Sequence, residues 1–121
     1  MSGRMSSRFI YVKMQMANPA RRDRWEEVGL LIDTESRLSV MPRPILEELR
    51  IQFTGRRRFR VLGGERETGG VVLKYRGHIA AAPVIVGEDN DTPILGLRAL
   101  EALDYEVDHI TGELRPTEML L

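Results

Sequence analysis

The residues best suited to chemistry stand together. Asp33, Thr34 and Glu35 follow directly on the apolar run Leu30-Leu31-Ile32, and Val40-Met41-Pro42 comes a few positions later. A buried strand that ends on an acid holds its carboxylate firmly, and a firmly held carboxylate can serve as a general acid or base. The bland role for Asp33 is to close a turn, since Asp side chains accept hydrogen bonds from nearby backbone N–H groups. Asp91-Thr92 repeats the pair, but Pro93 follows it, and it reads as a surface loop. His78 and His109 lie far apart and read as exposed strand and turn residues, so no zinc site is expected. Cys is absent, which excludes disulfides and thiolate metal sites.

Charge narrows the partners. Lys plus Arg and Asp plus Glu both number 18, giving a formal net charge of zero. A nucleic-acid or membrane-surface role calls for a basic excess. Arg56-Arg57-Arg58 offers charge to a nucleic acid or an acidic peptide, but in a neutral chain it reads as a solvated strand end. With 42% hydrophobic and 30% charged residues among 121, the composition is that of one soluble globular domain. No apolar stretch approaches the roughly 20 residues of a membrane span. Met1 to Ser7 lacks the apolar centre of a signal peptide. The resulting expectation is a cytoplasmic prokaryotic protein with neither nucleic acid nor membrane as partner.

The elements that must position Asp33 follow from periodicity and punctuation. Arg8 to Met16 partly alternates and predicts a strand, and Asn18 to Arg24 predicts a polar loop. Glu27 to Asp33 and Leu38 to Met41 predict strands, and Pro42-Arg43-Pro44 opens a short helix ending near Arg50. Arg56 to Leu62 and Glu65 to Thr68 flank Gly63-Gly64, a tight hairpin signal, and Gly69-Gly70 permits a bend or bulge. Val71 to Tyr75 and His78 to Val86 form another hairpin around Arg76-Gly77. After the loop Glu88 to Thr92 come a short strand Pro93 to Gly96, a helix Leu97 to Leu103, and a closing hairpin from Tyr105 to Pro116. The sum is eight or nine short strands with two short helices, an all-β, barrel-like pattern.

One ordered set of segments resembles a known family. Ile32-Asp33-Thr34, Ser39-Val40-Met41-Pro42, Ile94-Leu95-Gly96, and Leu100-Glu101-Ala102-Leu103 running into Glu106-Val107-Asp108 and Thr111-Gly112-Glu113-Leu114 occur in that order. Together they resemble the retroviral-type (retropepsin-like) aspartic proteases, above all the small single-motif versions of bacteria and archaea, from Glu27 to Pro116. The resemblance implies a mainly β, closed barrel of the retropepsin type with one or two short helices, homodimeric. Residues 1–7 would be a disordered start and 8–121 a single domain.

The resemblance also implies a mechanism. The chain carries one motif, so two copies would each contribute Asp33 to one site. Two carboxylates about 3 Å apart cannot both ionise, the behaviour known for aspartic proteases. The ionised one takes a proton from water and the protonated one polarises the scissile carbonyl of a peptide or protein substrate. No metal or organic cofactor is required. Thr34 and Glu35 would support the dyad and hydrogen-bond between subunits. Leu62, Gly63, Gly64 and Glu65 would form the tip of a flap, whose glycines suit a mobile turn. Ile94, Leu95 and Gly96 would pack under the catalytic loop, and the terminal strands would pair between subunits.

Two positions depart from the family pattern. Glu35 stands where the family has Gly, beside the substrate backbone. A positive φ there would add about 1–2 kcal/mol of strain, and the extra carboxylate would raise neighbouring carboxyl pKa values. Any activity would then favour acid. Asp104 stands where Gly usually forms a left-handed cap, a milder change. The departures leave a second reading, a catalytically silent module of the same fold used for dimerisation or peptide binding. A third is an unrelated small β-barrel that binds peptides by strand addition.

Overall fold

A computed structural model of the chain describes residues 10–59 and 64–117. The expected disordered segment 1–7 lies outside these residues, as do Leu62 and Gly63. Among the described residues there are nine strands and two helices, so the chain is mainly β. No described helix is long and apolar enough to cross a membrane.

Strand β1 (Tyr11–Asn18) alternates, with Met14 and Met16 buried and Lys13 and Gln15 exposed. It pairs antiparallel with β2 (Arg21–Ile32), Tyr11 opposite Leu31. The loop expected over Asn18 to Arg24 is a tight turn instead, and β2 already begins at Arg21. Asn18 explains the difference. Its side-chain oxygen accepts the Ala20 N–H at 2.8 Å, and its Nδ2 donates to the carbonyls of Leu49 and Arg50 at 3.1 and 2.8 Å. A side chain that replaces backbone partners in this way closes a turn on its own. The charged residues Arg21 to Arg24 are exposed but still occupy strand positions.

Next come β3 (Ser39–Pro42) and helix α1 (Arg43–Glu48), with Pro44 in the first turn, where its missing N–H is harmless. The remaining elements are β4 (Phe53–Phe59), β5 (Gly64–Tyr75), β6 (His78–Gly87), β7 (Ile94–Leu95), α2 (Leu97–Ala102), β8 (Tyr105–Asp108) and β9 (Glu113–Pro116). β8 and β9 form a two-stranded sheet, and the other seven form one sheet in the order β1-β2-β7-β3-β6-β5-β4. β1 also pairs with β5, Gln15 opposite Lys74 through Ala17 opposite Val72, so the sheet bends back on itself. The bend encloses Met14, Met16, Leu30, Met41, Leu73 and Leu95, all nearly fully buried.

Gly69-Gly70 does not interrupt β5, which runs unbroken through both. The irregularity lies on the partner strand. Phe53 opposes Gly69 and Gly55 opposes Thr68, leaving Thr54 as the extra residue of a bulge. Gly69 serves by its size, since a Cβ there would stand 3.2 Å from the Gln52 carbonyl oxygen. Both helices have six residues, too few to hold alone, and are fixed by burial of Leu46 in α1 and of Ala99 and Leu100 in α2. Beyond α2, Asp104 has φ 63°, the left-handed conformation expected after that helix.

Candidate active site

Period two along β2 turns Val28, Leu30 and Ile32 toward the core. β2 therefore ends with Asp33 half-buried rather than in the core. β7 inserts between β2 and β3. It runs parallel to β2, with Leu31 opposite Ile94 and Ile32 opposite Leu95, and antiparallel to β3, with Val40 opposite Ile94. The Asp33 N–H then donates to the Leu95 carbonyl at 3.0 Å. Asp33 is thus held by a backbone bond to a segment far away in sequence.

The turn itself is closed twice. The Ser36 N–H donates to the Asp33 carbonyl at 3.2 Å, and the Glu35 N–H donates to Asp33 Oδ1 at 3.0 Å. One carboxylate oxygen is therefore oriented by the turn. The other has no hydrogen-bond or ion-pair partner among the described residues. Thr34 is half-buried, and its hydroxyl makes no hydrogen bond among the described residues. Glu35 is exposed. Its φ is not positive; the non-glycine residues with positive φ, among those described, are Arg50, Arg76 and Asp104. The backbone strain considered for a side chain at position 35 is therefore not incurred.

Beneath the turn, Ile94, Leu95 and Gly96 form the support. Leu95 is fully buried, and Gly96 is buried as it leads into α2. Gly96 has an ordinary extended backbone, φ −90° and ψ 177°. The demand there is for space. A Cβ on Gly96 would lie 2.5 Å from the Leu38 carbonyl oxygen and 2.9 Å from that of Arg37. The chain crosses itself at this point. The Leu97 N–H donates to the Ser36 carbonyl at 2.8 Å and the Arg98 N–H to the Arg37 carbonyl at 3.1 Å.

One supporting residue escaped the sequence reasoning. Ser39 is 2% exposed, and its Oγ accepts the Gly96 N–H at 2.9 Å. It is the buried polar side chain of the described core. The available signal was a lone hydroxyl opening the strand Ser39-Val40-Met41-Pro42.

The hairpin of β4 and β5 pairs from Phe53 opposite Gly69 to Phe59 opposite Gly64. Gly64 has φ 120°, a conformation that suits Gly at a tight turn. Gly64 and Glu65 are both exposed, and no hydrogen bond or ion pair joins them to residues 33–35 among the described residues. Leu62 and Gly63, the other two residues assigned to the tip, lie outside the described residues. The root is anchored by Arg43 of α1, whose guanidinium stacks 5.1 Å over the Phe53 ring and hydrogen-bonds Glu67 of β5. The Glu67 carboxylate stabilises the charged guanidinium and raises its pKa further above its ordinary value.

No protein-family profile matches this sequence, and no curated protein sequence matches it. Solved structures do match. The EIAV protease complexed with the inhibitor HBY-793 superposes with a TM-score of 0.56 at 17% identity, covering 99% of this chain and all of that one. A retropepsin-like aspartic protease from Rickettsia conorii gives a TM-score of 0.56 at 16% identity, covering 83% of this chain and 76% of that one. The foamy viral protease-reverse transcriptase in complex with RNA/DNA hybrid gives 0.55 at 13% identity, covering 91% of this chain and 13% of that longer one. The chain has a retropepsin-like fold.

Proposed function

We propose that this chain is one half of a homodimeric aspartic endopeptidase, with Asp33 and Asp33 of the partner subunit sharing one proton and activating one water. The observation that carries the reading is the turn geometry on this fold. Asp33 ends a core strand, its N–H is tied to Leu95 at 3.0 Å, and one carboxylate oxygen is oriented by the Glu35 N–H at 3.0 Å. The other oxygen is left for a proton, a water or a partner carboxylate. Retropepsin-fold neighbours that are proteases support the same reading.

A closed barrel is part of the same proposal, supported by the pairing of β1 with both β2 and β5. A single Asp33 turn per chain supports a dimer, and residues 8–121 would act as one domain. Thr34, with no hydrogen bond among the described residues, is available to bond across the two-fold axis. The β4–β5 hairpin, with Gly64 and Glu65 near its tip, serves as the flap. Ile94, Leu95 and Gly96 hold the catalytic loop from below. Catalysis uses carboxylates and water alone.

Glu35 favours a second reading, a silent module of the same fold. Its exposed side chain adds a carboxylate to each Asp33 turn. One experiment separates the two. A diverse peptide mixture is incubated with the protein between about pH 3 and 7, where a perturbed carboxyl pair titrates. Asp33→Asn and Glu35→Gly are run in parallel. The expected result is cleavage that vanishes in Asp33→Asn and rises in Glu35→Gly. Cleavage that persists in Asp33→Asn refutes the mechanism. Cleavage by Glu35→Gly alone establishes the silent module.

A further inference from the structure

Two guanidinium groups stand beside the two carboxylates of the Asp33 turn. Arg37 leaves that turn, and Arg98 is the second residue of α2. The crossing at Gly96 brings them together, through the 3.1 Å bond from the Arg98 N–H to the Arg37 carbonyl. Both side chains are exposed, and neither makes a hydrogen bond or ion pair among the described residues. Six other described arginines find carboxylates: Arg21, Arg24, Arg43, Arg56, Arg66 and Arg115 each have one within 4.0 Å. Arg22, Arg50, Arg57, Arg58 and Arg76 share the state of Arg37 and Arg98, with no ion-pair partner among the described residues. Arg37 and Arg98 stay unpaired among the described residues, although Glu35 lies on the same turn.

We propose that Arg37 and Arg98 form a carboxylate-binding subsite beside the Asp33 turn, which selects peptides carrying Asp or Glu close to the scissile bond. This rests on the protease reading of that turn. A guanidinium presents a planar fork of donors that matches a carboxylate, and two on adjoining backbone segments give such a group more than one partner. Asp33 and Glu35 oppose the attraction, and with Asp33→Asn only Glu35 stands against the two guanidinium groups.

The hairpin supplies an independent observation. Arg57 and Arg66 are directly opposite in the β4–β5 ladder and so share one face. The other face is balanced, with Arg58 opposite Glu65, Arg56 opposite Glu67, and Arg56 Nε 3.4 Å from Glu65. Like charges directly opposite one another destabilise a ladder. Arg66 has Glu88 at 3.7 Å, whereas Arg57 has no ion-pair partner among the described residues. A hairpin that keeps two cations side by side is suited to an anionic ligand.

The test is a binding measurement that does not depend on turnover. The full chain carrying Asp33→Asn is titrated against labelled peptides identical except for Glu, Gln or Lys at one position. An exposed ion pair is worth roughly threefold in affinity, so the two arginines predict a preference for Glu over Gln of about tenfold at low salt. The preference shrinks as salt is added. Arg37→Gln with Arg98→Gln abolishes it, Arg37→Lys with Arg98→Lys keeps most of it, and Arg37→Glu with Arg98→Glu shifts it to the Lys peptide. Equal affinity for the Glu and Gln peptides, or binding of neither, overturns the proposal, as does a preference that survives the double Gln substitution. The two readings fail separately. Charge-selective binding by a chain that never cleaves sinks the protease and keeps the subsite, and cleavage blind to charge does the reverse.

Discussion

Gly96→Ala is the substitution whose consequence follows most directly from the backbone geometry. The added Cβ would sit 2.5 Å from the Leu38 carbonyl oxygen, 2.6 Å from its carbon and 2.9 Å from the Arg37 carbonyl oxygen. All three are backbone atoms, so no side chain can swing away. The strands must separate by several tenths of an ångström. Overpacking of this kind costs about 1–3 kcal/mol. Separation also lengthens the bonds from the Gly96 N–H to Ser39 Oγ and from the Leu97 and Arg98 N–H groups to the Ser36 and Arg37 carbonyls. A weakened buried bond adds about 1 kcal/mol. The expected loss is about 3 kcal/mol, or roughly 10 °C in melting temperature for a domain of this size. Urea unfolding followed by circular dichroism measures it, with Gly29→Ala as the control. Gly29 is exposed on β2, and a Cβ added there would meet nothing within 4 Å, so its change should stay within about 0.5 kcal/mol. A Gly96→Ala protein whose unfolding midpoint matches that of the control refutes the crossing as a source of rigidity.

Two further outcomes are expected. Ser39→Ala deprives the buried Gly96 N–H of its acceptor and should cost about 1–3 kcal/mol in the same unfolding assay; a loss under about 0.5 kcal/mol means another acceptor serves. Asp108 accepts the N–H groups of Ile110 and Thr111 at 2.9 and 3.3 Å, and these hold its carboxyl below the usual range. A depressed folded-state pKa means that the contribution is complete above the unfolded carboxyl value of about 3.9 and fades as pH falls through the folded value. Asp108→Asn should therefore lose less stability on acidification than the parent in thermal unfolding from about pH 7 to 2, and parallel acid slopes would contradict the assignment.

Much of this arrangement was legible in the residues because local physics wrote it there. The period-two burial of Val28, Leu30 and Ile32 made β2 visible, and its end marked the Asp33 turn. Asp104 could be assigned a left-handed backbone because short polar side chains tolerate it. What stayed hidden depended on contacts between distant segments. Nothing near Asn18 shows that its amide will reach Leu49 and Arg50, so a closed turn read as a loop. The bulge went to Thr54 rather than to the glycines opposite because ladder register belongs to two strands jointly. Ser39 gained its role only when Gly96 arrived beside it. The pairing of Arg98 with Arg37 has the same origin.

The lock on Asp33 also sets a schedule. Gly96 and Ser39 are separated by 57 positions, so the turn stays unsupported while that stretch is being made. At ribosomal speeds of roughly 5–20 residues per second the delay is about 3–11 s. Parallel, long-range pairing such as that of β7 with β2 is also slow to form, because loop closure must precede its reward. The Asp33 turn therefore acquires its final geometry only after the chain has been made as far as Gly96.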